Sequence, residues 1–131
     1  MIKHFSHIKS SAEAPVPNVN FKGKWRNDLK SDMDLKVDAS GSVSGIYRTG
    51  VGDPGPAEEF DLVGFASGDL LSFTVNFGKY GSLTSWVGQH TTEGGGERIK
   101  TLWLLARNVS DTEEPTKLWG AVMTGADTFR R

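Results

Sequence analysis

The fold is decided by the stretch LSFTVNFGKYGSLTSWVGQ, which runs from Leu71 to Gln89. Its first part, Phe73–Phe77, alternates apolar with polar residues, the pattern of a strand with one buried face. Gly78–Gly81 then interrupts the pattern with glycines that are free to adopt positive φ. The extended pattern resumes at Ser82, so the stretch predicts two antiparallel strands joined by a short turn.

The second of these strands indicates a binding pocket. Ser82, Thr84 and Trp86 are two residues apart and therefore share one face of the strand. A face with two hydroxyls and an indole is unusual for a plain core. It is typical of a pocket wall that contacts a small ligand with both polar and apolar parts.

Composition bounds the rest of the chain. Its 131 residues suit one domain, and a formal charge of −1 with interspersed signs gives no support to a nucleic-acid or membrane-surface partner. No apolar run approaches the roughly 20 residues of a membrane span. The chain has no cysteine, which excludes disulfides and thiolate metal sites. Frequent turn signals, with 16 glycines, favour many short strands over helices.

The chain divides into a tail and one folded domain. Residues 1–20 are predicted to form a flexible N-terminal tail, because Ala14–Pro17 is an extended, helix-breaking linker. Residues 21–131 contain eight candidate strands, and Gly125–Phe129 is interpreted as one helical turn. The strands are predicted at Gly23–Asp28, Met33–Asp38, Val43–Gly50, Glu58–Ala66, Leu70–Phe77, Ser82–His90, Glu97–Ala106 and Thr116–Thr124.

Eight antiparallel strands either close into a barrel or pack as a sandwich, and periodicity alone leaves both open. A barrel of this size has room for side chains or for one small ligand. If the pocket hypothesis is right, residues two apart on several strands face the interior together. These are Trp25, Asn27, Tyr47, Thr49, Val75, Phe77, Thr84, Trp86, Trp103 and Leu105.

Six segments in sequence order resemble the avidin and streptavidin family of biotin-binding proteins. They are WRNDLKS (25–31), SGIYRTGVGD (44–53), FTVNF (73–77), SLTSWVGQ (82–89), RIKTLWLL (98–105) and TGADTF (124–129). The resemblance covers the chain from Phe21 to its end. It implies an all-β fold, an eight-stranded antiparallel up-and-down β-barrel. It also implies a homotetramer built as a dimer of dimers, and a secreted or periplasmic protein.

The resemblance also implies a biotin site. Asn27, Ser31 and Tyr47 would donate hydrogen bonds to the ureido oxygen, whereas Thr49 and Asp127 would accept from the two ureido N–H groups. Thr84 would lie beside the thioether, and Ser82 would bind the carboxylate with the backbone N–H of Asp53. The apolar contacts implied are Val51, Phe77, Trp86, Trp103, Leu105 and, from a neighbouring subunit, Trp119.

One departure from the family concerns Phe77, which stands where streptavidin-like members have Trp. Because Phe offers less area than an indole, the aromatic box is expected to be looser, unless Tyr80 or Leu83 fills the space.

Two other functions compete with biotin binding. Gly23–Trp25 matches the GxW of lipocalins, so a lipocalin-like carrier of another small apolar ligand is the alternative. Convergence of the polar residues at one end of the pocket would distinguish the two. An enzyme is disfavoured because no motif places a nucleophile beside a base. No catalytic residue, metal site or cofactor is therefore expected.

Overall fold

A computed structural model describes residues 19–50, 55, 57–112 and 121–131. These residues form eight strands and one short 3-10 turn, Gly78–Tyr80. The strands are β1 (Gly23–Asn27), β2 (Asp32–Val37), β3 (Ser42–Arg48), β4 (Phe60–Ser67), β5 (Leu70–Phe77), β6 (Ser82–Glu93), β7 (Gly96–Arg107) and β8 (Val122–Arg130).

The strands close into a barrel rather than a sandwich. Each strand pairs antiparallel with its neighbours in sequence, and β8 returns to pair with β1 through Arg26↔Arg130 and Asn27↔Phe129. These two residue pairs join the first and last strands, so the sheet closes on itself. The predicted eight-stranded up-and-down barrel is thus confirmed. No helix in the described part of the chain is long and apolar enough to cross a membrane.

The hairpin from β5 to β6 has the predicted form. Phe73 pairs with Trp86 and Val75 with Thr84, so that alternate residues of both strands face the interior. The 3-10 turn ends at Gly81, whose φ of 79° is the left-handed conformation that glycine adopts without a Cβ clash.

The last strand differs from the prediction. We expected a strand at Thr116–Thr124 and a helical turn at Gly125–Phe129, but β8 runs from Val122 to Arg130, so the helical turn is wrong. Residues 116–120 lie outside the described residues. The physical reason is Gly125, which pairs with Trp103: a Cβ there would lie 2.4 Å from the Trp103 ring. This glycine makes room for an indole within a strand and does not mark a turn.

One end of the barrel is sealed. Phe21, Trp25, Ile99 and Phe129 are almost completely buried there, and the Trp25 Nε1–H donates to the Phe21 carbonyl at 2.9 Å. The Arg131 guanidinium lies over the Trp25 ring, 4.1 Å from its centroid. The interior can therefore admit a ligand only from the opposite end.

The end of the predicted tail joins this floor. Within the predicted tail, Met1–Asn20, only Val19 and Asn20 are described. The Val19 N–H donates to the Gly68 carbonyl at 3.2 Å, and its side chain packs against the core. Arg131 also donates to the carbonyls of Asn20 and Lys22. The described chain is thus held to the barrel from Val19 onward.

Candidate functional site

A cavity of about 190 Å³ opens at the end of the barrel opposite this floor. Polar and aromatic side chains from six strands and from the β1–β2 turn share its wall. The lining residues are Asn27, Leu29, Ser31, Tyr47, Thr49, Phe77, Thr84, Trp86, Trp103, Leu105 and Asp127. All except Leu29 belong to the set predicted from sequence, so the structure brings those residues together.

Asn27 connects the β1–β2 turn to the opposite wall. Its Oδ1 accepts the backbone N–H groups of Leu29 at 3.1 Å and Ser31 at 2.8 Å, which is the local geometry of an Asx turn. Its Nδ2 donates to Asp127 Oδ2 at 2.8 Å. One side chain therefore fixes the turn and also holds the carboxylate of β8.

Asp127 is a half-buried carboxylate facing the cavity. Besides Asn27, the Trp86 Nε1–H donates to the same Oδ2 at 3.4 Å. Burial raises the pKa of Asp127 above its ordinary value, although the hydrogen bonds from Asn27 and Trp86 oppose the rise. Oδ1 receives no side-chain hydrogen bond within the described residues. The carboxylate can therefore accept from a ligand N–H.

Three residues with hydroxyl groups line the cavity together with Asn27. Ser31 Oγ accepts the Gly50 N–H at 2.9 Å, which fixes its position and leaves the hydroxyl proton available. Tyr47 is 3% exposed, and burial raises its pKa to about 12, with the Ser31 hydroxyl opposing the rise. The phenol is therefore neutral at ordinary pH and can donate. Thr49 is also buried beside the cavity.

The apolar wall is rigidly packed. Trp86 stacks on Phe73 with ring centroids 4.9 Å apart and an interplanar angle of 13°, and the Tyr47 ring centroid lies 5.1 Å from that of Trp86. Phe77 packs edge-to-face against Phe60 at 4.7 Å. Stacked and edge-to-face contacts favour single ring orientations. The wall is thus formed before any ligand binds.

The structure corrects the prediction about the space beside Phe77. Phe60, which the sequence analysis did not consider, occupies that space. Tyr80 packs on Phe60 at 6.1 Å rather than on Phe77 directly. Leu83 is exposed, because it alternates with the inward-facing Ser82 and Thr84 and lies on the outer face of β6. The prediction that Leu83 fills the space is therefore wrong.

Thr84 has an unsatisfied hydroxyl. Its Oγ1 is the one buried side-chain nitrogen or oxygen in the described part of the chain without a hydrogen-bond partner. An unpaired buried hydroxyl costs about 1–3 kcal/mol. Because Thr84 lines the cavity, a ligand with a polar or polarisable atom at this depth would remove that cost.

One described residue of the predicted site, Ser82, is not among those that line the cavity. Ser82 begins β6 and lies at the rim, paired with Phe77 and Arg107. Val51, Asp53 and Trp119 lie outside the described residues. Leu29 was missed because it is in a turn, 59% exposed, where an apolar side chain carries no periodic signal. Its position between two predicted site residues, Asn27 and Ser31, is the one sequence feature that indicates a place beside the cavity.

A metal site finds no support in the described ranges. Across residues 19–50, 55, 57–112 and 121–131, no three His, Cys, Asp or Glu side chains are grouped closely enough to hold an ion. The described residues that line the cavity include one carboxylate and otherwise neutral groups. This arrangement can form directional hydrogen bonds at one end and apolar contacts along one wall.

Comparison with known proteins gives a consistent result. The chain matches the Avidin family over residues 16–131. It is 33% identical over 118 residues to avidin of Gallus gallus, an alignment covering 83% of this chain and 76% of that protein. It is 35% identical over 116 residues to avidin-related protein 4/5 of Gallus gallus, covering 83% of this chain and 75% of that protein.

Solved structures similar to this chain also include avidin-like proteins. The crystal structure of xenavidin matches with a TM-score of 0.74 and 30% identity, over 87% of this chain and 98% of that chain. The rhizavidin–biotin complex matches with a TM-score of 0.68 and 26% identity, over 89% of this chain and 95% of that chain. The barrel and the family match over most of the sequence lead to one conclusion. The chain belongs to the avidin family.

Proposed function

We propose that each chain binds one biotin molecule non-covalently and with high affinity in the barrel mouth. The observation that carries this proposal is the convergence of neutral donors and one carboxylate acceptor at one end of a preformed aromatic wall. A structural relative, rhizavidin, has been solved as a biotin complex, which supports the same ligand.

The polar end of the cavity suits a ureido group. Asn27, Ser31 and Tyr47 would donate to its carbonyl oxygen, and three donors favour the resonance form with negative charge on oxygen. Thr49 and Asp127 would accept from its two N–H groups. An ionised acceptor makes a charge-assisted bond that is about twice as strong as a neutral one. Donors and acceptor thus reinforce the same polarised form.

The rest of the ligand would follow the apolar wall. Trp86, Trp103 and Phe77 would pack against the bicyclic ring and its chain, and the unpaired Thr84 hydroxyl would face the thioether. Ser82 at the rim would bind the carboxylate, together with the backbone N–H of Asp53. Leu105 is in the wall of the cavity, and Val51 and Trp119 are proposed to complete the apolar enclosure.

Binding rather than catalysis is proposed, without a cofactor. The cavity's carboxylate already accepts hydrogen bonds from Asn27 and Trp86 and is not paired with a nucleophile. A lipocalin-like carrier of an apolar ligand would gain nothing from Asn27, Ser31, Tyr47 and Asp127 at one end. Burying them beside such a ligand would leave their polar groups unpaired.

The outer surface supports self-association. Phe65, Val87 and Leu102 are exposed by 64–70% on the outside of the barrel, and Leu104 and Val122 are also exposed. A depression of about 530 Å³ on the outside of β5–β8 includes Val87 and Leu102. Apolar surface of this extent favours closed symmetric assembly. We propose a homotetramer, a dimer of dimers in which Trp119 contacts the neighbouring pocket, in a secreted or periplasmic protein.

Isothermal titration with biotin tests the proposed function directly. We expect saturation at one biotin per chain. Native mass spectrometry with and without biotin should show four chains and four ligands. No heat and no bound mass at micromolar protein would overturn biotin binding. Tight binding by a monomer would overturn only the assembly and the Trp119 contact.

A further inference from the structure

Three rows of paired residues lead along the wall from the interior to the rim. The innermost pairs Trp86 with Trp103, and the next pairs Thr84 with Leu105. The outermost pairs Ser82 with Arg107, the last residue of β7. Because side chains alternate along a strand, Arg107 lies on the same face of β7 as Trp103 and Leu105, which line the cavity. A guanidinium therefore belongs to the inward-facing row at the mouth.

The backbone at this rim is fixed. The Asn108 N–H donates to the Gly81 carbonyl at 2.7 Å, which extends the pairing of β6 and β7 one residue beyond Arg107. The Cα of Arg107 is thus held opposite Ser82 and does not lie on a free loop.

Arg107 also differs from its charged neighbours. Lys79 pairs with Glu58 at 3.4 Å, and Glu58 also accepts the Tyr80 hydroxyl. Asp28 is bound by Arg130. Within the described residues, by contrast, Arg107 has no salt bridge or side-chain hydrogen bond, and it is exposed at the end of β7. Lys30 in the β1–β2 turn has no described salt bridge either, but it lies outside the three rows.

The spacing of the rows fits a ligand whose alkyl chain ends in a carboxylate. Successive rows are two residues apart, or about 7 Å along a strand. A bicyclic ring against the Trp86–Trp103 row places its thioether and the start of a short alkyl chain at the Thr84–Leu105 row. The end of that chain reaches the Ser82–Arg107 row, where a hydroxyl and a guanidinium are adjacent. An arginine can bind a carboxylate through two N–H groups at once.

We propose that Arg107 binds the free carboxylate of the ligand at the rim, and that it makes the site prefer acids over their neutral amides. This rests on the proposed function, because biotin supplies both the ring and the acid. The site would then distinguish free biotin from biotin joined to a protein through an amide. The preference depends on one charge at the mouth rather than on the polar end of the cavity.

The test compares dissociation of biotin and of biotin amide from the parent and three variants. Arg107→Gln removes the charge, and Arg107→Lys retains it. Lys36→Gln, a matched control, removes a cation from the outer face of β2 near the sealed end. Loss of an exposed pair should speed biotin release about two- to fivefold in Arg107→Gln. Release of the amide should not change, and Lys36→Gln should behave like the parent. Arg107→Lys keeps the charge but not the paired N–H groups, so its biotin release should lie between those of the parent and Arg107→Gln.

Salt supplies a second measurement that needs no variant. At about 1 M salt, where the screening length is about 3 Å, the parent's preference for acid over amide should shrink. Equal effects of Arg107→Gln on both ligands, or a similar effect of Lys36→Gln, would overturn the role of Arg107 while leaving biotin binding intact. A preference that is absent or insensitive to salt in the parent would do the same. No binding of either ligand to the parent would overturn both proposals.

Discussion

Replacement of Asp127 by Asn should separate binding from stability. The amide keeps the shape of the side chain and an oxygen that can accept the Asn27 Nδ2–H, which lies 2.8 Å from Oδ2 in the parent. The change removes the negative charge and also turns the second carboxylate oxygen into an NH2 donor, so that one oxygen must serve both Asn27 and the ligand N–H. Net hydrogen bonds to charged groups contribute about 1.5–3 kcal/mol, against about 0.5–1.5 for neutral ones. The loss should therefore be at least about 1–1.5 kcal/mol, or at least roughly five- to tenfold faster biotin release at 1.4 kcal/mol per tenfold.

Asp127→Ala should cost more. It leaves the Asn27 amide and the ligand N–H without an acceptor, while the long Trp86 contact at 3.4 Å adds little. Two buried donors at about 1–3 kcal/mol each set the scale, and cavity water will satisfy part of that loss. We expect release to be faster by on the order of a hundredfold, at 1.4 kcal/mol per tenfold.

Stability without biotin should move in the opposite direction for Asp127→Asn. Burial raises the folded-state pKa of Asp127, so its contribution to stability is present at low pH and is lost as pH rises through that pKa. The ionised carboxylate therefore destabilises the unliganded barrel at neutral pH. Asp127→Asn should melt at or above the temperature of the parent at pH 7, while binding biotin less tightly.

The assay is a dissociation chase with labelled biotin, combined with melting curves of the ligand-free proteins. Asp61→Asn is the matched control, because Asp61 is an exposed residue on the outer face of β4 and should change neither quantity. Binding by the parent should also weaken as pH falls through the raised pKa of Asp127, and this acid limb should be absent in Asp127→Asn. An unchanged release rate in Asp127→Asn, with the fold intact, would refute the assigned acceptor role.

Three further results are expected. Phe77→Trp should lower the free energy of unfolding by about 1–3 kcal/mol in urea titrations, because Phe60 already packs 4.7 Å from Phe77 and an indole would overfill the space. Adding Phe60→Leu to this variant should restore part of the lost stability. Arg131, and then His90, lower the pKa of Glu97 to about 2, so Glu97 should stabilise the protein above about pH 4.5 and this stability should be lost as pH falls toward 2. In melting curves, Glu97→Gln should therefore show a smaller fall in melting temperature at acid pH than the parent. An equal fall in both proteins would contradict this. Leu102→Lys should shift light-scattering masses below the tetramer, and an unchanged mass would remove the β7 face from the interface.

Much of the site could be predicted because it lies on strands of period two. Tyr47, Thr84 and Trp103 are found where alternation places them, and the closed barrel brings their faces together. The predictions that proved wrong concern positions where the alternation of apolar and polar residues carries no information. Gly125 resembled a turn residue, although its role depends on Trp103, a residue 22 positions earlier that the sequence cannot place against it.

The packing partners also could not be predicted. The neighbour of Phe77 depends on which strand ends meet at the rim. Phe77 is the last residue of β5, and Phe60 reaches it from the first position of β4. Similarly, the turn held by Asn27 brings Leu29 to the cavity without any periodic pattern. Long-range contacts of this kind follow from register and closure, which one strand's sequence does not specify.

The ligand-free cavity is less stable than a core of the same size would be. Thr84 has a buried hydroxyl without a partner, and Asp127 has a charge that burial disfavours. Each lowers the stability of the empty barrel, and each is relieved when a ligand supplies the missing donor or acceptor. The sealed floor around Trp25 and the Trp86–Phe73 stack compensate by holding the walls in place. A ligand that pairs with both groups therefore gains two hydrogen-bonding partners in addition to its contacts along the apolar wall.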